Sequence, residues 1–268
     1  MFRKNRSRVL DGCLVLRSAP SARDLSKIGR LRNVAVDETD PAWGSLEPLR
    51  TCADVIERLV VTDYQIRDIS VVESMTNLTK LQLFVGQTAR SYVMDLAGLT
   101  HLADFAGEYQ PAMKPLLSSP TLTSLALFQP PADVFSSVPS MPSLTTLDLR
   151  DFHSAQNLEW EGMGSLKHLT IAAATLVGMG GLAKLPDLER LELDQVKGLE
   201  DLSRVAHCKN LKRLVLEDCS KIPTLTFLAS ADLDELMLIG TTDVQDGDLT
   251  WTRSLKRRII RRRAHYRM

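Results

Sequence analysis

The chain has 268 residues, 44% of them apolar, and a formal net charge of zero. That is enough chain for a large core, and its composition is not that of a disordered segment. No apolar run approaches 20 residues, which argues against a transmembrane helix, and the basic start is broken by Asp11 and Gly12, which does not read as a secretory signal.

The zero balance hides an uneven distribution. Residues 1–36 carry nine Lys and Arg against two acids, and residues 249–268 carry eight against none. The 31 acids and 16 bases between them give residues 37–248 a net charge of −15. The chain is an acidic body between two basic ends.

In chain order, residues 1–30 read as an N-terminal cap, 31–248 as repeats and 249–268 as a C-terminal cap with a basic tail. The repeats are copies of one phrase, L-x-x-L-x-L with Ile, Val or Met allowed. It starts at Leu31, Ile56, Leu78, Leu122, Leu144, Leu166, Leu188, Leu211 and Leu233. Two damaged copies start at Leu99, with Asp104 in the last apolar place, and at Leu255, with Arg258 in the middle one. The steps run from 21 to 25 residues. Places four and six of each phrase fall on one side of an extended strand, whose side chains alternate. One such strand is too short to stand alone, but stacked copies merge their inward leucines into a continuous core and pair their backbones. Each strand is followed by a return segment of similar length, so all strands run parallel. The returns are too short for long helices and are expected as loops, single turns and 3₁₀ pieces on the convex side.

The phrase resembles the leucine-rich repeat family in its 22-residue class, over roughly residues 31–260. The resemblance implies an α/β solenoid, a horseshoe with a parallel concave sheet of about 10–11 short strands. The family's Asn at place nine is missing: that place holds Pro130, Phe152, Ala174, Val196 and Cys219 among others, so the turns should be less regular, above all between 84 and 135. A narrower resemblance lies at the end. Asp246, Gly247, Asp248, Leu249, His265 and Tyr266 look like the closing segment of small bacterial leucine-rich repeat proteins, some of them encoded beside polymorphic toxins.

Groups that would converge on a reaction are not legible, and no catalytic residue, cofactor or metal is expected. His101 and His168 stand three repeats apart, too far at ~4.8 Å per strand to ligate one metal. His207 and Cys208 are adjacent but lack further ligands. The glycine-rich 178–185 precedes a repeat strand and reads as a return turn. Cys13, Cys52, Cys208 and Cys219 have no metal-ligand spacing; they are expected as reduced, mostly buried thiols of a cytoplasmic protein.

Places three, five and seven face away from the core onto the concave side. Place seven puts Phe84, Phe105 and Phe128 in successive repeats, a stack that would mark a binding patch. Alternatively, Asp104 marks a bulge and Phe105 turns inward. Further along, Asp148, Asp151, Glu192, Asp194, Glu217 and Asp218 collect with Arg150, Arg190 and Arg213 interleaved. The expectation is a non-enzymatic protein-binding module. With the acidic body and the ending, it points to an immunity-type protein that binds a basic bacterial toxin through the concave face. An adaptor without a toxin partner is the second reading. A nucleic-acid binder using the basic tail is the third, set against a capping strand whose charges blunt the sheet edge.

Overall fold

The computed structural model describes residues 7–37, 43–85, 94–134, 140–152, 160, 162–176, 178–199, 201–219 and 221–268, except the side chain of residue 112. It divides into two units, Met1–Leu122 and Thr123–Met268.

The first unit holds β1 (Arg8–Leu10), β2 (Cys13–Leu16), α1 (Ala22–Leu31), β3 (Asn33–Asp37), β4 (Arg58–Asp63), β5 (Lys80–Val85) and β6 (Asp104–Glu108). β1 and β2 form an antiparallel hairpin. Asp11 and Gly12 make its two-residue turn, both at positive φ, as hairpin twist requires. β2 through β6 then pair in parallel, each with the next. β2 is a further repeat strand that the phrase search passes over, because its first place is Asp11 rather than a leucine. α1 starts on a capping box, with Ser21 and Asp24 each bonding the other's backbone, and ends at Arg32 in the left-handed region. Burial works to raise the Asp24 carboxyl, but hydrogen bonds from Ser21, Ser7 and Lys27 outweigh it and hold that carboxyl well below the usual carboxylate range.

The second unit holds β7 (Ser124–Phe128), β8 (Thr146–Arg150), β9 (His168–Thr175), β10 (Arg190–Lys197), β11 (Arg213–Glu217), β12 (Lys221–Ile222), β13 (Glu235–Ile239), β14 (Asp243–Val244) and β15 (Arg257–Ile260). β7 to β11, β13 and β15 pair in parallel in that order, and β12 pairs with β14 in a separate two-stranded sheet. Short 3₁₀ turns fill many of the returns, among them Ser70–Ser74, Gly180–Lys184 and Ser203–His207. Leu147, Leu149, Leu169, Leu191 and Leu214, at places four and six, are buried.

One copy is out of register with its spelling. Leu81 pairs with Phe105 and Leu83 with Gly107, so the phrase begins at Leu102 rather than Leu99. Place four is therefore Phe105, which is 0% exposed, and place six is Gly107. The two compensate in volume. A Cβ on Gly107 would lie 2.8 Å from the Leu83 carbonyl oxygen and 3.1 Å from Cζ of Phe105. Leu99 belongs to a different series. Its carbonyl accepts the N–H of Leu102, as those of Met75, Met141, Met163, Leu185 and Cys208 accept the N–H of the residue that opens the next phrase. A leucine in that closing position, three before a true place one, imitates L-x-x-L.

Place eight of the second unit carries a regularity that composition hides. Gln129, Asp151, Ala173, Gln195, Asp218 and Gly240 all lie in the left-handed region, at φ between 47° and 64°. Only the last is glycine, so five residues hold a conformation that costs roughly 1–2 kcal/mol each. The sheet imposes it: the N–H groups of Gln129, Asp151 and Asp218 point back to carbonyls of the next strand, Arg150, Ala172 and Ile239. Near the C-terminus two short side chains do what the missing Asn would do. The Cys219 thiol donates to the Leu193 carbonyl at 3.3 Å, and the Thr242 hydroxyl donates to the Leu216 carbonyl at 3.1 Å. The four cysteines are free; Cys52, Cys208 and Cys219 are buried. Burial pushes the Cys208 and Cys219 thiols up to about 11.

Candidate functional site: the open face of the second sheet

Places three, five and seven of β7–β15 form the exposed face of the second unit's sheet. The strand register fixes their columns. Place three reads Ser124, Thr146, His168, Arg190, Arg213, Glu235, Arg257. Place five reads Ala126, Asp148, Thr170, Glu192, Val215, Met237, Ile259. Place seven reads Phe128, Arg150, Ala172, Asp194, Glu217, Ile239 and then Arg261, just past β15.

The expected acidic face is partly neutralised from within. Arg150 grips Asp148 with Nε and Nη2 at 2.9–3.1 Å, a hydrogen bond that also pushes the Arg150 guanidinium further up. Arg190 pairs with Glu192. Arg213 lies 3.8 Å from Glu192 and 2.9 Å from Glu235, and Arg257 lies 3.3 Å from Glu235. These pairs form a chain of alternating sign across β10, β11, β13 and β15. Each exposed pair contributes little to stability, about 0–1 kcal/mol, but together they cancel the charge of two of the six expected carboxylates, Asp148 and Glu192. Asp151 and Asp218 sit at place eight rather than on the face proper. Asp151 accepts from Gln129 Nε2 at 2.7 Å, and Asp218 accepts from the backbone N–H of Thr241 at 2.7 Å. Asp194 and Glu217, direct neighbours on β10 and β11, form no direct ion pair among the described residues, although Asp194 lies near enough to Arg150 to help keep its guanidinium charged.

The aromatic stack is not formed. Phe105 is in the first unit's core, by the register shift described above rather than by a bulge. Phe84 stays on the open face of the first unit at place seven, half-buried opposite Thr62. Phe128 is half-buried on the second, and the Arg150 guanidinium lies over its ring at 5.7 Å. An aliphatic patch lies at the other end of the second sheet. Val215, Met237 and Ile259 are consecutive at place five of β11, β13 and β15, with Ile239 at place seven beside them. Ile259 is 36% exposed. Its sequence signal was an aliphatic run along an outward place.

The residues that carried the resemblance of the ending act on the fold. Leu249 is buried, and its N–H bonds the Arg267 carbonyl at 2.9 Å, while the Arg267 N–H bonds the Gly247 carbonyl at 2.7 Å. Gly247, at positive φ, passes so close to the His265 carbonyl that a Cβ there would collide. The Tyr266 hydroxyl accepts the Val244 N–H at 2.9 Å and donates to Asp243 at 3.2 Å. His265 lies 3.0 Å from the Val244 carbonyl, and its ring packs edge-on against Tyr266 at 4.8 Å. Asp246 and Asp248 bond local N–H groups. The basic tail is engaged too. Arg258 bonds the Thr252 hydroxyl, Arg261 the Gly240 carbonyl and Arg263 both Asp243 and the Thr242 carbonyl. Arg267 lies 3.9 Å from Asp248.

In the first unit a surface hollow of about 410 Å³ is lined by Arg32, Asp54, Glu57, Asn77 and His101. Its polar groups bond one another: Arg32 to Glu57, and Asn77 to the Asp54 carbonyl, both at 2.5 Å. Among the described residues no three His, Cys, Asp or Glu are placed to hold a metal ion, and no helix is long and apolar enough to cross a membrane.

Parallel strands joined by short 3₁₀ returns over a leucine core are the fold of leucine-rich repeat proteins. The comparisons agree with that class. An internalin, inlF, from Listeria monocytogenes superposes on 93% of the chain and 73% of its own length with a TM-score of 0.62 at 15% identity. TLR13, solved in complex with ssRNA13, covers 90% of the chain and 42% of its own length, with a TM-score of 0.58 at 19% identity. In sequence, the disease resistance protein RFL1 of Arabidopsis thaliana is 30% identical over 110 residues, which are 40% of this chain and 12% of that protein. The chain thus spans about an eighth of the curated relative it matches. No protein-family model matches.

Proposed function

We propose that the chain is a non-enzymatic protein-binding module whose partner sits on the open face of the second sheet. We further propose that it acts as an immunity-type protein against a basic bacterial toxin, with caps at 1–30 and 249–268 closing the repeats. The observation that carries the reading is the aliphatic patch Met237, Ile239 and Ile259, with the buried Val215 at its inner edge, beside Asp194 and Glu217, which form no ion pair among the described residues. A repeat keeps its inward places constant for the core and leaves its outward ones open to select a partner. Aliphatic side chains at outward places, flanked by ion pairs on one side and by two carboxylates on the other, have the make-up of an interface centre. The acids add association rate for a basic partner. The tail arginines are bound into the C-terminal cap, which weighs against a nucleic acid tracked along that end.

The test is capture from a cell extract, with partner kinetics on variants. Met237→Glu should abolish capture or speed dissociation by about tenfold or more, as expected at an interface centre. Lys184→Glu and Lys209→Glu, in the returns on the opposite side, should leave both rates in place. If the return variants abolish binding and Met237→Glu does not, the open-face assignment fails. If the captured partner is acidic or is not a toxin, the immunity-type role fails.

A further inference from the structure

Resting on the reading above, we infer that the patch takes an extended segment of the partner in which a large aliphatic side chain stands two residues from a Lys or Arg. The argument is one of charge and spacing. The aliphatic centre lies over β11, β13 and β15, and the two carboxylates without ion-pair partners lie on β10 and β11. Parallel strands are about 4.8 Å apart, so the acidic pair and the Met237–Ile259 centre are separated by roughly two strand spacings, ~10 Å. An extended segment places side chains i and i+2 on one face, about 6.6 Å apart, and the reach of a lysine or arginine covers the rest. The same-side alternative, an acidic neighbour, would meet Asp194 and Glu217 as like charges. Arg257 and Arg261 stand on the far flank, in or just past β15, two strands from Glu217 and three from Asp194, so they act at the opposite end of the patch from the two acids. On the place-three side Arg190, Arg213 and Arg257 share Glu192 and Glu235, so that side carries no spare carboxylate to draw the cation away from Asp194 and Glu217. The segment therefore reads two things at once, a hydrophobic contact at Met237 and a cation over Asp194 and Glu217.

The full chain, methyl-labelled at Ile, Val and Met, is titrated by NMR with three alanine-based seven-residue peptides. One carries a leucine and a lysine two residues apart; the second has glutamate in place of the lysine; the third has alanine in place of the leucine. The expected result is shifts confined to the methyls of Val215, Met237, Ile239 and Ile259. The lysine peptide should bind about five- to tenfold tighter than the glutamate peptide at low ionic strength, a ratio that narrows at high salt as the charges are screened. The alanine peptide should bind too weakly to saturate. In the Asp194→Lys/Glu217→Lys chain, whose changed residues lie outside the core, the preference should reverse to the glutamate peptide. Equal affinity for the lysine and glutamate peptides, a preference unmoved by the charge reversal, or shifts centred elsewhere would each overturn the inference. Should partner capture still respond to Met237→Glu while the peptides show no charge preference, the binding reading stands and this inference alone fails.

Discussion

The two units build the same kind of core and finish it differently. In the first, the place-five column on the open face is short and mostly apolar: Val15, Ala35, Val60, Gln82, Ala106. In the second, the same column holds Asp148, Glu192, Val215, Met237 and Ile259, and its flanks carry the chain of ion pairs. The turns differ as well. Place eight is left-handed in six successive copies of the second unit, whereas Ser18, Asp63, Val85 and Tyr109, the corresponding described residues of the first, have no such angle. The inward leucines are thus a shared instruction, and they leave both the backbone turn and the outward chemistry undetermined. A repeat can change what it presents without changing what holds it together.

The largest test breaks what the units share. Leu191→Ala, at a fully buried inward place, should cost about 2–5 kcal/mol by chemical denaturation. A loss below half a kcal/mol would place Leu191 outside the core. Next comes the copy that departs from the phrase. Gly107→Leu restores the motif's spelling yet should destabilise by about 1–3 kcal/mol, because its Cβ would meet the Leu83 carbonyl and the Phe105 ring, which already fill the space. Adding Phe105→Leu should recover part of the loss, a coupling measured in a double-mutant cycle.

The third test concerns the first unit's cap. Asp24→Asn should cost about 1 kcal/mol at neutral pH. Because the folded Asp24 carboxyl titrates below its unfolded value, its contribution is present above about pH 4 and is lost as the pH falls through the folded value. The variant should therefore close on the parent protein as the pH drops below 4, in urea titrations at stepped pH. A constant difference across that range would remove Asp24 from the acid response. The smallest effect has opposite signs in the two units. Ala173→Gly, at φ 49°, should stabilise by about 0.5–1 kcal/mol by relieving the left-handed turn. Ala35→Gly in extended β3 should destabilise by a similar amount. The same sign at both sites would mean that place eight is not strained.

How much of this the sequence shows follows from which residues spell it. The nine complete phrases each yield a strand in register, because inward Leu, Ile or Val at places four and six carry the fold in their own identity. β2 escapes because Asp11 occupies its first place, though Leu14 and Leu16 fill the inward ones. Leu99 misleads because a leucine closing a return and the leucine opening the next strand imitate the phrase. The left-handed places are invisible in sequence, since only Gly240 of the six is a glycine. On the open face, each acid is legible as an outward residue, but its neighbour across the strands is not. Arg213 reaches Glu235 from 22 residues away, and the pairing cancels charges that look cumulative along the chain. Met237 and Ile259 are legible as outward aliphatic residues, but their adjacency across strands, 22 residues apart in the chain, is not.

The misplaced copy has a consequence for anyone who would cut and splice these repeats. From Leu78 to Leu102 is 24 residues and from Leu102 to Leu122 is 20, so the two irregular steps together span two ordinary periods. A module boundary drawn by the motif, before Leu99, would separate a return from the leucine that closes it and graft that leucine onto the neighbouring cassette. Boundaries drawn before Leu78, Leu102 and Leu122 keep each closing residue with its own return. The transplanted module containing Phe105 must then bring Gly107 with it, since the pair is a single packing unit that no neighbouring cassette can supply.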